Sequence, residues 1–227
     1  MADSVNLHEL RSEFASLIKE TADFLGIREV FVEKDYWITL VLKRLADSEY
    51  KNLVVFKGGT SLSKGYKLIN RFSEDVDIAI INASDLKGNQ VKNLIRNVEK
   101  TISVDLTEIE IPGVTSKGSR FRKSVFIYPI SGDNKRNQNE SNKLLIETNS
   151  FANPYPYANL EIKSMIGEFL EYSRRQDLLD KYGLQPFNLN ILDKRRTLVE
   201  KVVSLIRFSF SEDPVGAISE KIPHFYD

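Results

Sequence analysis

Two acidic residues, Asp75 and Asp77, are the side chains whose type and spacing most clearly predict chemistry in this 227-residue sequence. In a β-strand, alternate side chains point to the same face, so this pair places two carboxylates about 6.6 Å apart at their Cα atoms. A divalent cation relieves their mutual repulsion, and Mg²⁺ commonly binds one or two carboxylates together with substrate phosphates. The pair therefore predicts a Mg²⁺ or Mn²⁺ site.

The segment upstream of this pair predicts a phosphate-binding turn. The apolar run at residues 53–56 is typical of a buried strand, and Gly58 and Gly59 then let the backbone approach a ligand closely. Thr60 and Ser61 open a short helix, whose N-terminal N–H groups and dipole favour an anion. Turn, helix and acidic strand follow one another in an order that favours nucleotide chemistry.

The Asp-x-Asp spacing alone is weak evidence, because 32 of the 227 residues are acidic and short motifs recur by chance. Glu108 and Glu110 have the same spacing, but no strand, glycine turn and helix precede them. We interpret these two glutamates as an ordinary solvated strand face.

The elements that must position the candidate residues follow from hydrophobic periodicity. Apolar residues at helical spacing predict helices over residues 6–25 and 30–45, before the first strand, and a polar helix is predicted over residues 84–102. Further strands are predicted near residues 103–111, 119–130 and 143–149, with an exposed polar loop over residues 131–142.

Residues 153–157 contain two prolines and are the candidate domain boundary, because the pattern of strands breaks there. We expect residues 1–152 to form an α+β domain built on a mixed sheet with flanking helices. Residues 153–227 are expected to form a helical C-terminal region that packs on this domain.

Composition excludes several kinds of site and location. The absence of cysteine excludes disulfides, thiolate zinc sites and thiol nucleophiles, and two histidines cannot build a His-rich metal site. With 41% hydrophobic and 28% charged residues, no apolar run of 18 residues and no leader-like start, we expect a cytoplasmic protein without membrane contact.

A net charge of zero argues against indiscriminate binding to nucleic acid, which requires many lysines or arginines on phosphates. Local contacts with RNA remain open at two basic clusters, although a solvated face is the favoured interpretation of both. The clusters are Lys117, Arg120, Arg122 and Lys123, and Lys194, Arg195 and Arg196.

Residues 56–64 and 71–78 together resemble the AbiEii/AbiGii toxin family, within the DNA polymerase β-like nucleotidyltransferase superfamily. Residues 33–37, 196–201 and 221–227 are similar to further motifs of that family. The resemblance implies a metal-dependent enzyme that transfers a nucleoside monophosphate from an NTP to an acceptor hydroxyl. It also implies the toxin of a bacterial toxin–antitoxin or phage-defence pair, with a cognate antitoxin as partner and the 3′ end of tRNA as an acceptor.

The resemblance also implies roles for residues along the chain. Glu147, on the strand at residues 143–149, is assigned as the third metal ligand beside Asp75 and Asp77, and Asp227 is assigned a position near the reacting hydroxyl. The implied nucleotide-binding residues are Lys57, Gly58, Gly59, Ser61, Lys64 and Lys201.

Lys201 is also singled out by its position on a helix over residues 195–210. Its neighbours on that helix include the apolar residues Leu198, Val202, Leu205 and Ile206. An ammonium in such surroundings must reach water, an acid or a ligand. Extension to solvent and pairing with Asp193 or Glu200 remain open beside the triphosphate contact that the resemblance implies.

Two other functions remain open. A nucleotidyltransferase that acts on a sugar or an antibiotic would use the same metal site, and a scaffold protein could retain the fold with an inactive site. The intact Asp75 and Asp77 argue against the inactive scaffold.

Overall fold

The computed structural model describes residues 5–69, 75–131 and 142–219, apart from the side chains of residues 217 and 218. Within these residues the chain forms one eight-stranded mixed sheet with helices around it. The strands are β1 (Val54–Lys57), β2 (Asp75–Ile80), β3 (Thr107–Ile109), β4 (Ser116–Lys117), β5 (Phe121–Ile127), β6 (Lys143–Asn149), β7 (Tyr157–Ile162) and β8 (Phe187–Leu192).

The helices lie before, between and after these strands along the chain. They are α1 (Arg11–Leu25), α2 (Glu29–Asp47), α3 (Gly58–Lys64), α4 (Gly88–Ile102), α5 (Met165–Tyr172), α6 (Gln176–Tyr182), α7 (Lys194–Ser209) and α8 (Pro214–Ser219), with short 3₁₀ turns at Leu7–Glu9 and Ala83–Asp85. None of the helices in the described ranges is both long enough and apolar enough to cross a bilayer.

The sheet has the strand order β3-β5-β6-β2-β1-β8-β7, and β4 pairs with β5. Strand β2 runs parallel to β6, and β1 runs parallel to β8, whereas the other neighbours are antiparallel. Because β1 and β8 run in the same direction, they end at the same edge of the sheet. Helix α3 follows one of them and α7 follows the other, so both helices begin at that edge.

One face of the central strands forms the hydrophobic core. Phe56, Ile78 and Ile146 are fully buried on that face and belong to a cluster that includes side chains of α1, α2 and α4. Successive strand residues point to opposite faces, so the residues next to these apolar side chains lie on the other face. The alternation therefore places Lys57, Asp77 and Glu147 together on the face opposite the core.

The predicted elements of the first half are present with shifted ends. Helices α1, α2 and α4 and strand β6 correspond to predicted elements, but α1 begins at Arg11 rather than near residue 6. The strand predicted at residues 103–111 is only Thr107–Ile109, and the one at residues 119–130 is Phe121–Ile127. The polar loop lies mainly outside the described residues.

The prediction that the chain is helical after residue 153 is wrong. Strands β7 and β8 pair with each other, and β8 pairs with β1, so both belong to the same sheet as the first half. The predicted boundary at residue 152 therefore lies between two strands of one sheet. Phe187, Leu189 and Ile191 alternate with polar residues in β8, and this period of two was the signal for a strand.

Candidate active site

A row of four charged residues crosses the sheet opposite the core. Lys57 of β1 lies in register with Asp77 of β2, Asp77 with Glu147 of β6, and Glu147 with Lys123 of β5. Asp75 lies two residues before Asp77 on the same strand and therefore shares its face. The register thus brings together the three carboxylates that the sequence analysis selected, and it adds a lysine at each end of the row.

The pKa of Asp77 is raised from the ordinary 3.8 to about 7. Although part of this residue reaches the surface, its carboxyl group lies among protein atoms, and this desolvation is the largest cause. The negative charges of Glu147 and Asp75 raise the pKa further, whereas the positive charges of Lys57 and Lys123 lower it. Asp77 is therefore electrostatically coupled to both other carboxylates, as expected when like charges are held in one site.

A divalent cation fits this site by the chemistry of its donors. The three candidate ligands are carboxylates, the oxygen ligands that Mg²⁺ and Mn²⁺ accept. Desolvation and the repulsion from Glu147 and Asp75 raise the pKa of Asp77, and a bound cation would relieve the repulsion. Among the described residues, no three His, Asp or Glu side chains are already placed closely enough together to hold an ion.

The turn after β1 lies directly against Asp77. Gly58 has a φ of +78°, and a Cβ added to it would lie 2.1 Å from Asp77 Oδ2. A side chain at this position would therefore be strained in its backbone and would also collide with the carboxylate. The predicted close approach of the backbone is present, and the group that it approaches is a candidate metal ligand.

The hydroxyl groups of Ser61 and Thr60 on helix α3 donate hydrogen bonds to backbone carbonyls of the same chain. Ser61 is fully buried, and its Oγ donates a hydrogen bond to the carbonyl of Gly58 at 2.8 Å. Thr60 Oγ1 donates to the carbonyl of Asp75 and so ties α3 to the start of β2. The Ser61 hydroxyl group therefore fixes the glycine turn, and the phosphate contact of Ser61 stays a prediction.

Lys64 lies away from the row of charges. Its Nζ is 2.5 Å from Asp35 Oδ1 of α2 and donates to the carbonyl of Lys163 at 3.1 Å. The other oxygen of Asp35 accepts a hydrogen bond from the backbone N–H of Met165 at 2.8 Å, at the start of α5. Lys64 and Asp35 form a buried ion pair that joins α2, α3 and α5, so the geometry does not support the predicted nucleotide contact of Lys64.

Helix α7 reaches the site through Glu200. Asp193 caps this helix by accepting a hydrogen bond from the N–H of Arg195 at 2.8 Å. From there Glu200 Oε2 accepts a hydrogen bond from Lys57 Nζ at 2.8 Å, and its Oε1 accepts one from Arg196 Nε at 3.2 Å. Sequence reasoning considered Glu200 only as a partner of Lys201, and the contact with Lys57 joins residues that are 143 positions apart.

Lys201 is buried on the side of α7 that packs inward, with only 8% of its surface exposed, and Thr197 is buried beside it. The apolar residues near Lys201 along the helix do not form a buried face with it. The apolar neighbours Leu198, Val202 and Ile206 are 57%, 45% and 54% exposed. The polar edge of this helix faces the protein, because the sheet surface that it approaches carries charges rather than apolar side chains.

Most residues of the two basic clusters are paired within the chain. Arg122 forms an ion pair with Glu99, and Lys117 forms one with Glu108. Arg195 and Arg196 pair with Asp193 and Glu200, respectively. Lys123 belongs instead to the row of charges in the site. The period of two along β5 was a sequence signal that Lys123 shares a face of the sheet with Phe121.

Asp227 and the rest of residues 221–227 lie outside the described residues.

These features define the class of the protein, a nucleotidyltransferase-type mixed sheet with acidic residues beside a glycine turn. A solved structure of the same fold is MenT4, nucleotidyltransferase toxin Rv2826c from Mycobacterium tuberculosis H37Rv, with a TM-score of 0.50 and 16% sequence identity. The similarity covers 83% of this chain and 58% of that one, so the chain matches a little over half the length of that protein. The predicted α+β mixed sheet with flanking helices is confirmed.

The chain belongs to the AbiEii toxin family. The family model described as "Nucleotidyl transferase AbiEii toxin, Type IV TA system" matches residues 40–227. No protein with curated function shows significant sequence similarity to the chain. The resemblance drawn from residues 56–64 and 71–78 is thereby confirmed.

Proposed function

We propose that this chain transfers a nucleoside monophosphate from an NTP to an acceptor hydroxyl and releases pyrophosphate, as the toxin of a toxin–antitoxin pair. The observation that carries the proposal is the register that places Asp77 between Lys57 and Glu147, with the backbone of Gly58 against its carboxylate. Membership of a nucleotidyltransferase toxin family supports the same reaction. A cognate antitoxin is the partner that the family description implies.

In the proposed reaction, Asp75, Asp77 and Glu147 hold Mg²⁺ or Mn²⁺. The ion would supply charge neutralisation at the phosphates and would favour the ionised form of the attacking hydroxyl. The backbone at Gly58 and Gly59 admits the phosphates close to these carboxylates. Asp227 keeps the role near the hydroxyl that the family resemblance implies.

Two lysines offset the negative charge that moves toward the leaving pyrophosphate. Lys57 lies beside Asp77 in the row, and Lys201 is buried on the α7 face next to Glu200, which contacts Lys57. Cationic groups fixed before the reaction stabilise developing charge without having to reorganise. Lys57 and Lys201 are therefore the residues that we assign to the triphosphate and to the charge that develops on the leaving pyrophosphate.

An RNA acceptor, such as the 3′ end of tRNA, is supported by an aromatic pair at the end of the same face. Phe151 is 68% exposed and stacks on Phe121, with ring centroids 5.7 Å apart and an interplanar angle of 21°. Phe121 lies two residues before Lys123 on β5, and Arg120 next to it is exposed. Exposed aromatic rings beside basic side chains bind single-stranded nucleic acid by stacking and by charge.

A small-molecule acceptor, such as a sugar or an antibiotic, is the second candidate. It is favoured by the pairing of the basic clusters, in which Lys117, Arg122, Arg195 and Arg196 are bound to acids of the same chain. Such pairs leave few cations for a long stretch of phosphate backbone.

Incubation with labelled NTPs separates the two acceptors and tests the reaction itself. Total tRNA and a panel of sugars and aminoglycosides are supplied in parallel, with Mg²⁺ or Mn²⁺ present. We expect label in tRNA with the parent protein and none with Asp77→Ala, whereas Asp85→Ala, on an exposed turn, keeps the parental activity. Label in a small molecule would select the second candidate, and no label in any acceptor would contradict the proposed function.

A further inference from the structure

The ion pair between Lys57 and Glu200 lies inside the site that we assign to the triphosphate. Lys57 Nζ is 2.8 Å from Glu200 Oε2, although the two residues belong to β1 and α7. The ammonium is close enough to the carboxylates for its charge to lower the pKa of Asp77. It is also the side chain immediately before Gly58, where the backbone approaches the candidate metal ligand. The carboxylate of Glu200 is therefore already paired with a lysine that we assign to the nucleotide site.

Glu200 has a second cation available on its own helix. Arg196, one turn earlier on α7, donates from Nε to Glu200 Oε1 at 3.2 Å. A carboxylate released by Lys57 would therefore keep one ion pair. Because the side chains of Lys57 and Glu200 are 20% and 32% exposed, water can also reach the separated groups. Both facts lower the free energy that is needed to separate Glu200 from Lys57.

We propose that Glu200 is an internal competitor of the substrate, which holds Lys57 until the triphosphate displaces it. The inference rests on the proposed nucleotide site and adds to it the residue that sets its affinity. Carboxylate and phosphate oxygens accept the same charge-assisted hydrogen bonds from an ammonium. When an NTP takes Lys57, Glu200 transfers to Arg196 alone, so nucleotide binding loosens the connection between α7 and β1.

The test is equilibrium binding of a non-hydrolysable NTP analogue with Mg²⁺ to the parent protein and to Glu200→Gln. We expect Glu200→Gln to bind the analogue about two- to fivefold more tightly, the range that corresponds to loss of one partly exposed ion pair. The corresponding nucleoside, which has no phosphate, should bind equally to both proteins. The gain should also shrink as salt is added, because salt screens the pair in the parent.

The chain offers a closely matched control in another ion pair. Lys163 and Glu171 are also 2.8 Å apart, and their side chains are 21% and 35% exposed. They join the end of β7 to α5 and do not belong to the row of charges. Glu171→Gln should therefore leave the affinity for the analogue unchanged while removing a pair of the same length and exposure.

A double-mutant cycle shows whether Glu200 acts through Lys57. In the Lys57→Met background, the further change Glu200→Gln should have no effect on the affinity for the analogue. A purely structural role of Glu200 would change the affinity in both backgrounds, and melting temperatures of all four proteins show whether the folds remain comparable. An effect of Glu200→Gln that persists without Lys57 would overturn the proposal.

The remaining outcomes are also decisive. Weaker binding by Glu200→Gln would mean that the carboxylate orients Lys57 for the substrate rather than competing with it, which overturns the inference. An unchanged affinity would overturn it as well. If the parent protein itself binds no NTP analogue, the proposed function fails first, and this result is distinct from parental binding that Glu200→Gln does not improve.

Discussion

At the scale of single residues, the site is organised around one carboxyl group. Asp77 has acidic neighbours in Asp75 and Glu147 and basic neighbours in Lys57 and Lys123, and its pKa of about 7 shows that the repulsion and the desolvation prevail. A metal ion must therefore compete with a proton for Asp77 near neutral pH. This competition makes both the stability and the metal affinity depend on pH.

The stability of the metal-free protein should fall as the pH rises toward 7. The folded protein keeps the Asp77 proton up to about pH 7, whereas the unfolded chain loses it near pH 4. Between these values the folded state binds more protons, so the free energy of unfolding decreases by up to about 1.4 kcal/mol per pH unit. Urea unfolding in EDTA between pH 4.5 and 8 measures this slope.

Asp77→Asn should lose this contribution to the slope and should be more stable than the parent above pH 7, while Asp85→Asn should behave like the parent. Equal slopes for the parent and Asp77→Asn would show that the carboxyl group titrates normally. In the parent, Mg²⁺ binding below pH 7 should release a proton, which calorimetry in buffers of different ionisation enthalpy detects.

Lys201 should matter for the reaction more than for the fold. Lys201→Met keeps the length of the side chain and removes the charge, and we expect nucleotidyl transfer to fall by about 10² or more, the scale for loss of one charge-stabilising donor. Rates measured at saturating NTP report this loss. Lys181→Met on α6 is the control, and near-parental transfer by Lys201→Met would contradict the proposed role.

At the scale of elements, local patterns predicted the site and long-range pairing determined the rest. The glycine turn and the Asp-x-Asp strand were predictable because their chemistry lies within a few consecutive residues. Glu147 could be placed by its strand, but only the β2–β6 register puts it beside Asp77. Neither the Lys64–Asp35 pair nor the contact of Lys57 with Glu200 has a local signature. The apolar neighbours of Lys201 on α7 did not predict which side of the helix is buried, because α7 turns a polar edge toward the charged face of the sheet.

The glycine turn allows a test with a matched control. Gly58 and Gly113 both have a φ of +78°, but a Cβ on Gly113 would meet no atom within 4 Å. Alanine at either position should cost about 1 kcal/mol of stability for the left-handed backbone. Only Gly58→Ala should also displace the Asp77 carboxylate, and it should reduce transfer at least tenfold more than Gly113→Ala does. Equal losses of activity would show that the close approach of the Gly58 backbone to Asp77 has no role in the transfer reaction.

At the scale of the whole molecule, the sheet separates stability from chemistry. Its core face is packed by apolar side chains such as Phe56, Ile78 and Ile146, all fully buried. Its other face carries Lys57, Asp77, Glu147 and Lys123 in register. Substitutions on the charged face should therefore change ligand binding without removing the core that holds the sheet together.

Metal and nucleotide should stabilise the whole fold when they bind this charged face. A ligand at a hundred times its dissociation constant adds about 2.7 kcal/mol, which corresponds to a rise of roughly 5 to 10 °C in Tm for a chain of this size. Thermal unfolding at pH 7.5 with and without millimolar Mg²⁺ and NTP measures the effect. Asp75→Asn should abolish the rise, and an unchanged Tm of the parent would argue against an intact metal site.

The proposed function also predicts an effect on the growth of bacteria that express the chain. If toxicity comes from nucleotidyl transfer, the parent protein should slow growth, and Asp77→Ala should relieve the inhibition. The substitution removes a candidate metal ligand and a desolvated carboxyl group, so it should leave the protein soluble and at least as stable. Growth curves after induction, with immunoblots of the soluble fraction, compare the parent, Asp77→Ala and the control Asp85→Ala at equal protein levels. Growth inhibition by Asp77→Ala as strong as that by the parent would separate toxicity from the reaction, because an enzyme without this carboxylate should not bind the ion that the reaction requires.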